Sequence, residues 1–196
     1  MTKLTIRRAV AATVLVGGLI VGAAGPAQAT APASTADGHQ AAAAGCTSSP
    51  SADVWTQIAW QIFDLINQQR AQNGVGALQA DQGVSDVAIA HSIRMGDTGI
   101  FSHVIDGKGP EDRLRDHGVA FTSWGENISN DWCQSNGKPA WNVDGFAQDS
   151  VNRWMNSPGH RQNILNASFN LTGVGIAARA RDNRGYIYTT QVFIQR

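Results

Sequence analysis

The chain has 196 residues, with 15 basic and 15 acidic side chains and a formal net charge of zero. Three of the basic residues, Lys3, Arg7 and Arg8, lie in a predicted N-terminal leader that has no acidic residue, so the remainder carries a net charge of about −3. A weakly acidic chain without a basic cluster argues against nucleic acid as a partner.

The first 29 residues have the organisation of a secretory signal peptide. An apolar run over residues 9–24 follows the basic start, and the small residues Ala-Gln-Ala at 27–29 form a cleavage site. The mature chain is then expected to begin at Thr30 and to be secreted, extracellular and monomeric. The alternatives are export by the twin-arginine route and retention of the apolar run, which is short for a bilayer span, as a membrane anchor. No later segment of the sequence is expected to cross a bilayer.

Residues 30–51 are mostly Ala, Ser, Thr, Pro and Gly, which predicts a flexible arm ahead of a single domain at 52–196. The domain, with about 145 residues, is long enough to bury its own core. Cys46 and Cys133 form an even pair, which in an exported protein predicts a disulfide. The loop-closure model gives so long a ring about 4–5 kcal/mol. Lipidation of Cys46 is the competing interpretation, and the intact mass under non-reducing conditions separates the two.

Two helices are predicted after the arm. The first has a wide apolar stripe, begins with a cap at Asp53 and continues to about Gln72. The second begins at Asp81 or Ser85 and carries His91 within its apolar stripe. A histidine in such a position is more often a core residue with one satisfied hydrogen bond than a ligand.

The middle of the chain is expected to be less regular. Proline at the first position and basic residues in the last turn predict a short helix over residues 110–117. Residues 121–128 are expected to form a strand edge. The polar segment 129–142 is predicted to be an ordered loop, with Trp132 and Trp141 attaching it to the core.

Two strands are predicted at the C-terminal end. Alternation over residues 174–178, a turn at 182–185 and a β-branched, aromatic run at 186–194 indicate a hairpin. The last strand is apolar on both faces, which requires cover on both sides. Helices ahead of a doubly covered sheet predict an α/β fold with three layers, an α/β/α sandwich.

A helix-to-helix junction at residues 151–165 is the strongest local pattern. The first helix should end near Asn156, because the residue before a proline avoids the α region. Ser157 can cap the next helix, with Pro158 at its first position. His160 then lies in the first turn, where the helix dipole favours a neutral imidazole that can bind a metal or accept a proton. The alternative is that His160 only fills a turn.

The sequence of this junction, Trp154–Leu165, resembles the bacterial branch of the CAP superfamily. This superfamily, also called SCP, comprises cysteine-rich secretory proteins, antigen 5 and pathogenesis-related 1 proteins. Phe101–His103, Gly125–Ile128 and the terminal Thr190–Phe193 resemble further family motifs in the expected order. The resemblance covers about Ile58–Ile194 and implies the same α/β/α sandwich.

The resemblance also implies a ligand cleft. His103, Glu126 and His160 match the family's cleft residues, and Asn127 and Ser157 lie beside them in sequence. Eukaryotic members carry two histidines and two glutamates, and here Ser157 stands where the second glutamate would be. Two histidines and a carboxylate can hold Zn²⁺. His103 and His160 are therefore candidate ligands for a divalent cation, with affinity reduced by the missing acid.

Three functions are compatible with these residues. The favoured one is binding without turnover, of a divalent cation and a lipid or cell-wall component. The second is hydrolysis, by a metal-bound water with Glu126 as base or by Ser102 or Ser157 activated by a histidine. No established hydrolase motif selects it, so the sequence favours a protein that is not an enzyme. In the third, Glu126 only satisfies backbone N–H groups at a helix start.

Overall fold

The computed structural model describes residues 39–40, 46–47 and 50–196. The predicted signal peptide lies outside the described residues, as does most of the predicted arm. The helices are α1 (Ala52–Gln72), α2 (Gln82–Thr98), α3 (Pro110–Asp116), α4 (Phe146–Asn156) and α5 (Pro158–Ile164). The strands are β1 (His39–Gln40), β2 (Cys46–Thr47), β3 (Gln79–Ala80), β4 (Ser123–Ser135), β5 (Lys138–Asn142), β6 (Leu171–Arg181) and β7 (Arg184–Gln195).

The described strands form one sheet in the order β2-β5-β4-β7-β6-β3, with β1 paired beside β4. Neighbours among β4, β5, β6 and β7 are antiparallel, whereas the short β3 pairs with β6 in parallel. The long central strand β4 is paired with β7 along eleven registered positions, from Ser123↔Gln195 to Cys133↔Gly185. This central strand carries Glu126 and Asn127.

Alternate residues of β7 pack against different layers of helices. Ile187 and Phe193 belong to a core shared with α1, α4 and α5. Val192 and Ile194 belong to a second core, shared with α2 and α3. Successive side chains of a strand point to opposite faces, so the two cores lie on opposite sides of the sheet. The predicted three-layer α/β/α sandwich is confirmed.

The helix α2 lies unusually close to the sheet. A Cβ atom added at Gly173 or Gly175 of β6 would collide with the backbone of Ser85 or Ile89. Glycine is therefore required at these two positions for the helix to approach so closely. This approach fixes α2, and with it His91, against the sheet.

Several predicted boundaries are confirmed and one is wrong. Asp81 is the N-cap of α2, and its side chain accepts a hydrogen bond from the N–H of Val84 at 3.0 Å. Asp53 is not the cap of α1, because that helix begins at Ala52 with Ser51 as its N-cap residue. No side-chain hydrogen bond caps this end.

The segment 129–142 is not the predicted loop. It forms the second half of β4 and all of β5, joined at Asn136 and Gly137, which have φ angles of 52° and 70°. Two consecutive residues with positive φ form the turn that suits the twist of a two-residue hairpin. Trp141 packs against the main core, as predicted.

The disulfide between Cys46 and Cys133 is present, with a Cα–Cα distance of 6.3 Å and a sequence separation of 87. Cys46 lies in β2, which pairs with β5, so this part of the predicted arm is tied to the sheet. Among the helices that the structure describes, none has the length and apolar character needed to span a membrane.

Candidate functional site

Glu126 and Asn127 are neighbours on β4 and point to opposite faces of the sheet. The side chain of Glu126 contacts residues of the loop before α3 and of α3 itself, whereas Asn127 contacts α5. Both residues are buried, with 5% and 0% of their surface exposed. The motif at His103 therefore contacts β4 from one face of the sheet, and the α4–α5 junction contacts it from the other face.

The carboxylate of Glu126 is bound on both oxygens. Nδ1 of His103 lies 2.8 Å from Oε1, and Nη2 of Arg113 donates to Oε2 at 2.6 Å. These partners are side chains, so the third hypothesis, in which Glu126 binds backbone N–H groups at a helix start, does not describe this carboxylate. Because a carboxylate only accepts hydrogen bonds, Nδ1 of His103 carries a proton and donates it to Oε1. In a neutral imidazole Nε2 then has a lone pair, and in an imidazolium both nitrogens are donors.

Glu126 is held in its charged form. Burial by itself raises the pKa of a carboxyl group, but the hydrogen bond from His103 and the charge of Arg113 outweigh it. Together they hold the pKa of Glu126 below its ordinary value. The site therefore contains a permanent buried anion whose charge is balanced from within the chain.

His91 is the buried core histidine that the sequence predicted. It is 1% exposed, and its Nε2 lies 3.0 Å from the carbonyl oxygen of Ser102. Burial lowers its pKa to about 4, against the attraction of Glu126, which lies 3.9 Å away. A neutral His91 donates its N–H to the Ser102 carbonyl and supports the loop that carries His103.

His103 lies on that loop with 28% of its side chain exposed. The backbone around it is fixed on both sides, because Nη1 of Arg113 donates to the His103 carbonyl at 2.9 Å and Ser102 Oγ accepts the N–H of Val104 at 3.1 Å. The imidazole is therefore oriented by Glu126 while its far edge remains open to a ligand.

His160 lies in the first turn of α5, as predicted. Burial lowers its pKa, and the charge of His103 lowers it further. The sequence attributed neutrality to the helix dipole, whereas the structure gives burial as the main cause. The charge of His103 acts on His160, so the two imidazoles are electrostatic neighbours.

The other two predicted cleft residues support the backbone. Nδ2 of Asn127 donates to the carbonyl of His160 at 3.2 Å, and its Oδ1 accepts from Nδ2 of Asn163 at 2.9 Å. Asn127 is fully buried and so holds the first turn of α5 in place. Ser157 is the N-cap residue of α5 with an extended backbone, but its side chain makes no capping hydrogen bond.

The residues around His103 do not fit the predicted centre of two imidazoles and a carboxylate. Both oxygens of Glu126 already accept hydrogen bonds from other groups. Within residues 39–40, 46–47 and 50–196, no group of three or more His, Cys, Asp or Glu is arranged to hold a metal ion. His103 and His160 alone are fewer protein ligands than a zinc site normally uses. Cation binding by these two residues stays a prediction.

Sequence reasoning missed two contributors to the site. Arg113 is 9% exposed and bonds Glu126, yet it lies in a short charged helix that was interpreted only through its dipole. Asn163 donates to the Glu126 carbonyl at 3.1 Å as well as to Asn127. The sequence signal that could have identified Asn163 was its position within the motif Trp154–Leu165. No sequence pattern marked Arg113 as buried.

An apolar groove lies elsewhere, between α1, α2 and the edge of β6. Its walls include Trp55, Trp60 and Phe63 of α1 and Ile89 of α2. Its volume is about 410 Å³, and Trp60 is 54% exposed. Grooves of this size and composition suit small apolar ligands.

The sandwich and the Glu126-centred site together define the class of protein. A family model described as the cysteine-rich secretory protein family, CAP, matches residues 63–193, which is more than half of the chain. The chain therefore belongs to the CAP family, and the resemblance seen in its motifs is confirmed.

Two relatives from Bacillus subtilis are similar in sequence. The uncharacterized membrane protein YlbC is 37% identical over 137 residues, which are 69% of this chain and 34% of YlbC. The uncharacterized protein YkwD is 33% identical over 132 residues, 67% of this chain and 45% of YkwD. The matched part of the chain thus spans less than half the length of either relative.

Solved structures have the same fold. An extracellular protein containing an SCP domain from Bacillus anthracis has a TM-score of 0.56 and 32% identity, covering 76% of this chain and 45% of that chain. An outer surface protein from Borrelia burgdorferi also has a TM-score of 0.56, at 19% identity, and covers 71% of this chain and 93% of that chain. The second likeness concerns the fold alone.

Proposed function

We propose that this is a secreted CAP-domain protein whose cleft at His103 and His160 binds a component of the cell envelope without turnover. One observation carries the proposal: Nδ1 of His103 donates to Glu126 at 2.8 Å, so the other ring nitrogen, Nε2, is not engaged by Glu126 and can meet a ligand. The ring nitrogens of two histidines next to an internally balanced ion pair suit a polar ligand group that forms hydrogen bonds.

The location and the ligand class have separate support. The predicted signal peptide indicates export. A structural relative at 32% identity is described as an extracellular protein. Cell-wall fragments offer hydroxyl and amide groups that can bond the imidazoles, and the headgroup of a lipid such as phosphatidylglycerol offers hydroxyl groups of the same kind.

Histidine NMR tests the proposal. The imidazole signals of the five histidines are followed while muropeptides or phosphatidylglycerol vesicles are added to the oxidised protein. We expect shifts at His103 and His160 that saturate, and loss of binding when His103→Ala and His160→Ala are combined. His117→Ala is the matched control, because His117 is exposed and bonds only the carbonyl of its own helix residue Arg113 among the contacts described. If the double variant retains saturable binding, the ligand binds outside this cleft and the proposal is wrong.

A hydrolase is the second candidate, and the Glu126–His103 hydrogen bond favours it. A carboxylate that orients an imidazole is the arrangement of a general base. Among the described residues, the hydroxyl of Ser102 bonds the N–H of Val104 and no hydrogen bond joins it to an imidazole, so water is the nucleophile that this arrangement would activate. A panel of ester, peptide and glycan substrates should then show turnover that Glu126→Gln removes. No turnover by the folded protein would reject this candidate and leave binding.

A further inference from the structure

Arg113 is anchored more firmly than a surface arginine. Its Nη1 donates to the carbonyls of His103 at 2.9 Å and Lys108 at 3.0 Å, and its Nη2 donates to Glu126 at 2.6 Å. Only 10% of its side chain and 1% of that of Glu126 are exposed. Three hydrogen bonds fix the guanidinium plane, so its positive charge has one position beside the carboxylate.

This position changes what the cleft can accept. Anionic ligands strengthen the binding of a divalent cation, and the negative charge of Glu126 is already balanced by Arg113. A second cation beside the fixed guanidinium would be repelled in a site where buried charges are poorly screened. Each carboxylate oxygen also already accepts a hydrogen bond, Oε1 from His103 and Oε2 from Arg113, so a metal ion would have to compete with these donors.

We propose that Arg113 supplies, from within the chain, the positive charge that a metal ion would bring, and that the cleft works without a divalent cation. Glu126 then serves to orient His103, and the imidazoles meet a ligand directly. The competing arrangement makes Glu126 an outer partner of a His103-bound zinc, since metal-binding histidines commonly donate to a carboxylate. That arrangement needs further ligands beyond His103 and His160, and the described residues do not group three such donors.

Calorimetry with Zn²⁺ alone distinguishes the two. The metal-stripped wild-type protein, with its disulfide intact, should take up no saturable equivalent of Zn²⁺ at concentrations up to about 100 µM. Arg113→Met keeps the apolar stem but frees one oxygen and the charge of Glu126, so the affinity of this variant for Zn²⁺ should rise at least about tenfold. Arg113→Lys keeps the charge and should stay like the wild type. Adding Glu126→Gln to Arg113→Met should abolish the gain.

Two results would overturn the inference. One is uptake of one equivalent of Zn²⁺ by the wild type that His103→Ala combined with His160→Ala removes. The other is a folded Arg113→Met variant with no gain in affinity. If Arg113→Met does not fold, the wild type and Arg113→Lys decide, because zinc uptake by either contradicts the inference and its absence in both supports it. The inference does not require the envelope ligand, whose binding is read separately by histidine NMR.

Discussion

Glu126 and Asp131 are both buried carboxyl groups of β4, and each is paired with an arginine from a helix, yet their pKa values move in opposite directions. The pKa of Glu126 is held below its ordinary value, whereas burial raises the pKa of Asp131 to about 7. Glu126 faces α3 and the His103 loop, and Asp131 contacts Arg153 of α4.

The difference lies in the number of donors. Both oxygens of Glu126 accept hydrogen bonds, one from His103 and one from the positively charged Arg113. In Asp131 only Oδ2 is bonded, by Arg153, and the buried Oδ1 has no partner among the described protein groups. One arginine therefore does not offset the cost of burying a carboxylate, whereas an arginine with a histidine does. The Glu126 site therefore has a complete arrangement of donors, one on each carboxylate oxygen, and the Asp131 site has an incomplete one.

The largest expected effect breaks the complete arrangement. Arg113→Met leaves the buried Glu126 with the His103 hydrogen bond but without its fixed positive partner, so the free energy of unfolding should fall by about 3–5 kcal/mol, measured by urea denaturation at pH 7. The matched variant Arg153→Met should cost clearly less, because Asp131 can take up a proton when its partner is removed. Equal losses in the two variants would contradict the comparison.

The next effect is the pH dependence of the incomplete pair. The pKa of Asp131 is about 7 in the folded protein, against about 3.9 in an unfolded chain, so the folded state binds more protons between these values. This group therefore makes the free energy of unfolding decrease as pH rises from about 4 to about 7. Asp131→Asn removes the decrease and should gain about 1–3 kcal/mol relative to wild type between about pH 4.5 and about pH 8.

Urea denaturation at several pH values checks this prediction. Asp106→Asn is the control, because a hydrogen bond from Arg94 lowers the pKa of the exposed Asp106, and its stabilising effect is lost as pH falls. The two variants should thus change the pH dependence in opposite senses. A pH-independent difference between Asp131→Asn and wild type would show that Asp131 is charged throughout.

The smallest effect removes one donor from the complete arrangement. His103→Ala takes away the hydrogen bond to Oε1 but leaves Arg113 on Oε2, so a loss of about 1–2 kcal/mol is expected in the same denaturation assay. The exposed His117→Ala should change stability by no more than about 0.5 kcal/mol. A loss of unfolding free energy in His103→Ala as large as that in Arg113→Met would mean that the imidazole stabilises the charged Glu126 as strongly as Arg113 does.

The sequence predicted elements whose signals are local. Asp81 caps α2, His91 is buried with one backbone partner, and β7 is covered on both faces, all as expected from cap chemistry and periodicity. The hairpin of β4 and β5 was missed, although Asn136-Gly137 is a strong hairpin signal. The polar residues around this turn suggested an exposed loop. In the structure they are strand residues, and one of them, Asp131, is buried beneath helix α4, where it pairs with Arg153.

The site was predictable only in part. Motif order placed His103, Glu126 and His160 together, but the role of Arg113 depends on its contact with Glu126, which no spacing rule displays. A charged residue in a short polar helix is usually solvated, so its burial follows from tertiary contacts alone. The same limit hid the buried pair of Asp131 and Arg153.

The short strand β2 covers the outer edge of β5, and its first residue, Cys46, is bonded to Cys133 two strands further in. An uncovered strand edge is a template for another chain. The covalent bond keeps this cover in place even when the weak two-residue pairing opens. Reduction of the disulfide would therefore allow β2 to leave and the edge of β5 to become exposed. An exposed edge can pair with another copy of the chain, so self-association would precede unfolding of the sandwich.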